Sequence, residues 1–291
     1  MSQSSEPDAP FVSGRIGDCF LRLQKTGRRA LIPYITAGDP DIDTTLHLMH
    51  DLVAAGADII ELGVPFSDPV ADGPIIEQAH QRALARGVTL PDVLNLVKDF
   101  RRNDHETPVV LMSYLNPVEI MGYDCFSRMA SASGVDALLT VDLPAEDADA
   151  LLTSLRAQKL EAVFMVAPNT PDERIASICS RGGGYIYAVS FKGITGASRL
   201  KTGDVQARVA ALKKMTDLPV CSGFGIHDGA SAAAVSQVAD GVIVGSALVK
   251  ELAAFQKVDA AREAVSARLA GMRQAMDELA ASRRPSAAQE A

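Results

Sequence analysis

Along this chain, short and almost wholly apolar runs alternate with longer segments whose apolar positions recur at helical spacing. The runs fall at 31–36, 59–62, 109–113, 137–141, 162–166, 185–190, 220–222 and 241–244, eight in all. Helical periodicity marks 44–55, 75–86, 147–158 and 205–215, among others, between them. A strand that is apolar at successive positions is buried on both faces, as in a parallel sheet covered by helices. Eight βα repeats in one chain favour closure over an open sheet. The expected fold is α/β, a (β/α)8 TIM barrel with an extra N-terminal helix at 16–25 and additional outer helices. One of these is opened by Pro91 after Thr89, and a long one spans 255–281. The expected organisation is a flexible leader over 1–14, a single barrel catalytic domain over 15–281 and a disordered polar tail over 282–291.

Three segments echo one another. Ala57-Asp58-Ile59-Ile60, Val135-Asp136-Ala137-Leu138 and Ala239-Asp240-Gly241-Val242 each set an aspartate just before a strand. The expected role is capping of local backbone amides in an αβ turn, because barrel chemistry sits at the opposite strand ends.

Length and composition agree with the pattern. The chain has 291 residues, 47% of them hydrophobic, which suits one barrel of the usual size of about 250 residues. A net charge of −8 without a basic block argues against a nucleic-acid partner. Cys19, Cys125, Cys179 and Cys221 are scattered without C-x-x-C spacing, the pattern of a reduced cytoplasmic protein with neither a disulfide framework nor a zinc site. No apolar stretch approaches the roughly 18 residues of a membrane span, so no membrane partner is expected. The polar, acidic start is not that of a signal peptide.

The strongest candidate chemistry lies in residues 59–74, Ile-Ile-Glu-Leu-Gly-Val-Pro-Phe-Ser-Asp-Pro-Val-Ala-Asp-Gly-Pro. Glu61 interrupts an apolar strand, where a carboxylate is costly unless something needs it. Side chains alternate along a strand, so Ile59 and Glu61 share one face and Ile60 and Leu62 the other. The wider apolar layer of a barrel is the outer one, so Glu61 is expected to point inward at the mouth. Burial there raises a carboxyl pKa toward the range useful for a general acid or base. Asp68 and Asp72 follow in a loop too rich in turn formers to be helical. By itself Asp72 reads more readily as a turn-stabilising residue than as a functional one; Asp68 reads similarly, though a surface position would also suit docking.

Glycines follow the last three strands, in Gly193-Ile194-Thr195-Gly196, Gly223-Phe224-Gly225-Ile226 and Gly245-Ser246-Ala247. Barrels often hold a phosphate with the loops after strands seven and eight and a nearby helix N-terminus. Gly196, Gly225, Gly245 and Ser246 are the candidate phosphate ligands, the alternative being tight strand-to-helix turns.

Other signals carry less. Asp39, Asp41 and Asp43 mimic the start of a calcium loop, but Thr44 stands where glycine is needed and His50 where glutamate is needed. His47 and His50 suit one solvated helix face, with no third metal ligand near them. Gly182-Gly183-Gly184 precedes a strand and reads as a turn. No metal site is expected.

The chain resembles the tryptophan synthase alpha family from about Phe20 to Lys250. The matching segments are 33–40 (Pro-Tyr-Ile-Thr-Ala-Gly-Asp-Pro), 61–74, 141–144, 184–187, 193–196, 223–226 and 245–246. The resemblance implies a carbon–carbon lyase of tryptophan biosynthesis. It would cleave indole-3-glycerol phosphate to indole and D-glyceraldehyde 3-phosphate by a retro-aldol reaction without a cofactor in this subunit. It implies Glu61 as acid/base and Asp72 as acceptor of the indole N–H. Tyr34, Met112, Leu139, Tyr187 and Phe224 would form the pocket walls. A pyridoxal-phosphate (PLP) beta subunit would dock near Asp68, Asn116 and Asp142 in an α2β2 heterotetramer. Phe191 departs from the polar or basic residue that the family often carries there.

Two kinds of rival stand beside this reading. Another phosphate-binding barrel, such as indole-3-glycerol phosphate synthase or a phosphoribosyl isomerase, would share the glycines. The synthase needs a lysine in an early strand, and the first five strand candidates contain none. The other rivals are a free-standing lyase and a chiefly regulatory subunit that activates a beta partner.

Overall fold

Every apolar run forms a strand, and the eight strands close into a parallel barrel in sequence order, β8 pairing with β1. The computed structural model describes residues 14–189, 202–223 and 225–282. The strands are β1 (Ala30–Thr36), β2 (Ile60–Gly63), β3 (Val109–Ser113), β4 (Ala137–Thr140), β5 (Glu161–Val166), β6 (Ile186–Ala188), β7 (Val220–Ser222) and β8 (Gly241–Val244). Of the expected leader only Gly14, and of the expected tail only Ser282, fall within described residues, each as the end of a helix.

The helices are α1 (Gly14–Thr26), α2 (Ile42–Ala54), α3 (Pro74–Ala85), α4 (Leu90–Phe100), α5 (Leu115–Met121), α6 (Tyr123–Ser133), α7 (Asp149–Ala157), α8 (Asp172–Arg181), α9 (Thr202–Leu212), α10 (Gly229–Ser236), α11 (Ser246–Ala253) and α12 (Val258–Ser282). Local chemistry sets several starts. Asp41 caps α2 by accepting from the Thr44 amide, and Thr89 opens α4 in a capping box with Asp92. The single helix expected at 147–158 instead divides into a 3-10 turn, Ala145–Asp147, and α7.

Strand alternation sorts the core into two layers. Leu31, Ile35, Ile60, Leu62, Leu138 and Val242 face the helices, in the larger cluster. Ile32, Ile59, Val110, Leu139, Val163, Cys221 and Ile243 fill the interior. Helix α1 sends Ile16, Cys19 and Leu23 into that interior cluster, a spacing that puts them on one helix face, and so plugs the end of the barrel where the strands begin.

The three echoed aspartates do cap amides, but not local ones. Asp58 accepts from Leu31 N, Asp136 from Val109 N and Asp240 from Val220 N, each at the start of the neighbouring strand. Each is also paired with a cation: Asp58 with Arg273, Asp136 with Arg15 and Arg101, and Asp240 with Arg29 and Lys213. A carboxylate here satisfies a strand-end donor that has no ladder partner and borrows a guanidinium or ammonium to offset its burial.

Candidate active site

Parallel strands all end on one face, and the candidate residues gather there. Glu61 sits in β2 opposite Tyr34 of β1 and Val110 of β3, and it is 1% exposed. Its side chain points inward as expected, because Oε1 accepts the hydroxyl of Tyr185 at 2.5 Å from across the barrel. Oε2 has no hydrogen-bond partner among the described residues. Burial raises the Glu61 pKa from 4.5 to about 7, against the lowering effect of the Tyr185 hydrogen bond. One hydrogen bond to a charged group is worth about 1.5–3 kcal/mol, less than the cost of desolvating a carboxylate. Desolvation therefore wins, and Glu61 is set to exchange a proton near neutrality.

Asp72 ends the loop between β2 and α3, its side chain 8% exposed. Oδ2 accepts the Tyr114 hydroxyl at 2.9 Å, and the same hydroxyl accepts the Ala71 amide at 3.0 Å. Tyr114 stacks on Phe66 with ring centroids 5.1 Å apart. His80 of α3 takes the Phe66 amide on Nδ1 at 3.0 Å and brings Nε2 to 3.5 Å from Asp72 Oδ2. These contacts tie the loop to α3 and to the segment after β3, with Asp72 at their meeting point.

Tyr34 lies between the two acids and feels both electrostatically. Burial and then the Asp72 charge push its hydroxyl far above the ordinary range, while a bond to Thr36 at 3.3 Å opposes the rise. Gly63 makes room for it, since a Cβ there would lie 2.2 Å from the Tyr34 oxygen. Gly223 does the same for Tyr187, whose hydroxyl donates to the Gly223 carbonyl at 3.2 Å and would be 2.7 Å from an added Cβ. Met112 and Tyr187 are half-buried, Leu139 is fully enclosed, and Phe224 lies outside the described residues.

On the candidate phosphate side, Gly225 adopts a left-handed φ of 68° after β7. Gly245 and Ser246 stand at the N-terminus of α11, directly after β8, where the first amides of a helix have no intrahelical acceptor. Gly196 and the remainder of 193–196, together with Phe191, lie outside the described residues. Asp68, Asn116 and Asp142 are all exposed, in the segments after β2, β3 and β4. Asp142 also accepts the Leu115 amide at 2.7 Å and so ties two of these segments together.

The rejected motifs resolve as structure. Asp39 forms a two-point pair with Arg82 of α3, at 2.7 and 2.8 Å. His47 is exposed, but His50 departs from the solvated face expected of it and tilts over Phe100 at 4.8 Å. Among the described residues no group of three or more His, Cys, Asp or Glu is arranged to hold a metal ion. Gly184 is a turn residue with φ 71°, at the opposite end from the two acids. A cleft of about 680 Å³ opens at that opposite end, lined by Arg156, Lys159, Glu161, Cys179 and Arg181 among others, and neither acid reaches it.

Tyr185, Tyr114 and His80 were not singled out in the sequence. Tyr185 had a usable signal, because it directly precedes β6 and shares the inward side with Tyr187 at a spacing of two. The other two act on Asp72 through contacts 42 and 8 residues apart that local periodicity does not encode.

Comparison with known proteins agrees with this geometry. The sequence model of the family described as tryptophan synthase alpha chain matches residues 20–280. A tryptophan synthase alpha chain from Thioalkalivibrio sulfidiphilus is 55% identical over 264 residues, covering 90% of this chain and 99% of that one. The one from Nitrosococcus oceani is 53% identical, covering 90% and 97%. A crystal structure of the alpha chain from Legionella pneumophila superposes with a TM-score of 0.85 at 42% identity, over 92% and 98% of the two chains. With a matching sequence model, barrel and close relatives, this chain belongs to the tryptophan synthase alpha chain family.

Proposed function

We propose that Glu61 and Asp72 carry out the retro-aldol cleavage of indole-3-glycerol phosphate to indole and D-glyceraldehyde 3-phosphate, the lyase reaction of this family in tryptophan biosynthesis. The carbon–carbon bond yields only after indole C3 is protonated, which places positive charge on the ring. Glu61, half-protonated near neutrality, gives a proton to C3 and takes one from the glycerol hydroxyl. Asp72 accepts the ring N–H and opposes the developing charge, a contribution largest in the transition state. Tyr34, Met112 and Tyr187 hold the ring, with Leu139 behind them and Phe224 completing the wall. The amides of Gly196, Gly225, Gly245 and Ser246 take the phosphate, whose remote binding energy positions the reacting carbon.

The observation that carries this reading is Glu61 itself. It is an enclosed carboxyl with a pKa of about 7, one oxygen held by Tyr185 and the other without a partner among the described residues. Every step is proton transfer or charge stabilisation by side chains, so the reading assigns no cofactor to this subunit and PLP to its partner. Membership of the family implies a beta-subunit partner. We place it, in an α2β2 heterotetramer, on the mouth face near Asp68, Asn116 and Asp142. Val70 and Ile120, in the same segments as Asp68 and Asn116, are 87% and 79% exposed, as an unoccupied docking rim would leave them. The reading locates the enzyme in the cytoplasm; no helix among the described residues is long and apolar enough to cross a membrane.

The test is indole release from indole-3-glycerol phosphate, with and without the matching beta subunit. Indole formed in both cases and faster with the partner is the expected result. Equal rates favour the free-standing lyase, and no indole in either case refutes the assignment.

A further inference from the structure

We propose that His80 is a positioning residue for Asp72, supplying from Nε2–H a second donor that fixes the carboxylate in the orientation needed to receive the ring N–H. This rests on the role given to Asp72 above. His80 is 3% exposed on α3, with Ala79 and Ala83 fully buried on either side. Helical side chains lean toward the N-terminus, so the imidazole reaches back over the loop that precedes its own helix. Phe66 N–H donates to Nδ1 at 3.0 Å. A nitrogen that accepts is unprotonated, which places the ring proton on Nε2. That Nε2 has no hydrogen-bond partner among the described residues, and the atom it faces is Asp72 Oδ2 at 3.5 Å.

A good N–H···O bond is about 2.9–3.0 Å long, so a movement of roughly half an ångström completes it. The Tyr114 hydroxyl already donates to the same oxygen at 2.9 Å. Two donors therefore converge on Oδ2, while Oδ1 makes no hydrogen bond among the described residues and is left for the substrate. Two donors from different elements fix the plane of a carboxylate, which one donor does not. By accepting from Phe66, His80 also pins the loop, and the test separates that role from the positioning of Asp72.

His80→Asn and His80→Gln do so. Asparagine ends near the position of Nδ1 and keeps an acceptor for Phe66, but it falls short of Asp72. Glutamine reaches the position of Nε2 with a donor and gives up the Phe66 bond. Indole release by the full-length chain is measured for both variants, in the parent and in an Asp72→Asn background, with the melting temperature of each protein. The expected result is a kcat for His80→Asn lower by on the order of ten- to a hundredfold with KM changed far less, since a small misplacement of a charge-stabilising group acts on the transition state. His80→Gln should recover most of that loss, and in the Asp72→Asn background neither change should lower kcat further. Parental kcat in His80→Asn, or an equal loss in the Asp72→Asn background, overturns the proposal. A near-parental Asp72→Asn enzyme would instead refute the role of Asp72, and this inference with it.

Discussion

At the scale of single residues, the site depends on a cost that the fold accepts. Glu61 holds its proton with a pKa of about 7 in the folded chain against 4.5 in the unfolded one. Between those values the folded state binds more protons, so stability falls as pH rises. The contribution is fully present below about pH 4.5 and lost above about pH 7, and amounts to on the order of 3 kcal/mol. Glu61→Gln removes the titrating group. The expected outcome is a variant that melts well above the parent at pH 8 and close to it at pH 5, read by calorimetry at both. An unchanged difference between the two pH values would mean that Glu61 is not the buried acid described. The sequence showed this residue well, because a lone carboxylate in an apolar strand is conspicuous and strand alternation gives its direction. Tyr185 carried a signal of its face, at a spacing of two from Tyr187, but not of its partner; only barrel closure brings the start of β6 across from β2.

At the scale of elements, one barrel end is devoted to stability and the other to chemistry. The paired aspartates belong to the first. Asp136 satisfies the Val109 amide and balances Arg101, whose side chain is 9% exposed. Asp136→Ala takes the closer carboxylate from that guanidinium, leaves it Asp104 at 3.8 Å, and frees the Val109 amide, so it should cost on the order of 3 kcal/mol in urea unfolding. The kcat per folded molecule should stay unchanged, and a catalytic defect at full folding would contradict the division of labour. The strand positions themselves were legible because buried parallel strands read as unbroken apolar runs. The reach of these aspartates was not, since each amide lies 20 to 27 residues away on a neighbouring strand. The other end holds Gly225 and the start of α11. Crystals soaked with glycerol phosphate should show the phosphate against Gly225, Gly245 and Ser246. Density at the Gly182–Gly184 turn would place the ligand at the wrong end of the barrel.

At the scale of the whole molecule, the barrel brings together an acid from β2, a second acid from the loop after it and helix amides after β8, and leaves Asp68, Asn116 and Asp142 exposed in the segments after β2, β3 and β4. A regulatory effect between the two subunits would be a coupling free energy of about 1–3 kcal/mol, equal in both directions for binding. Titrating the beta subunit with and without glycerol phosphate, for the parent and Asp68→Asn, measures it. The coupling should shrink in the variant, and an affinity indifferent to the ligand in the parent would leave the chain a free-standing lyase. The central claim concerns the proton carried by Glu61, and indole release by Glu61→Gln in the presence of the beta subunit tests it most directly. A folded variant whose rate falls by about 10²–10⁴ is the expected result; a folded variant that makes indole at a near-parental rate would contradict the account.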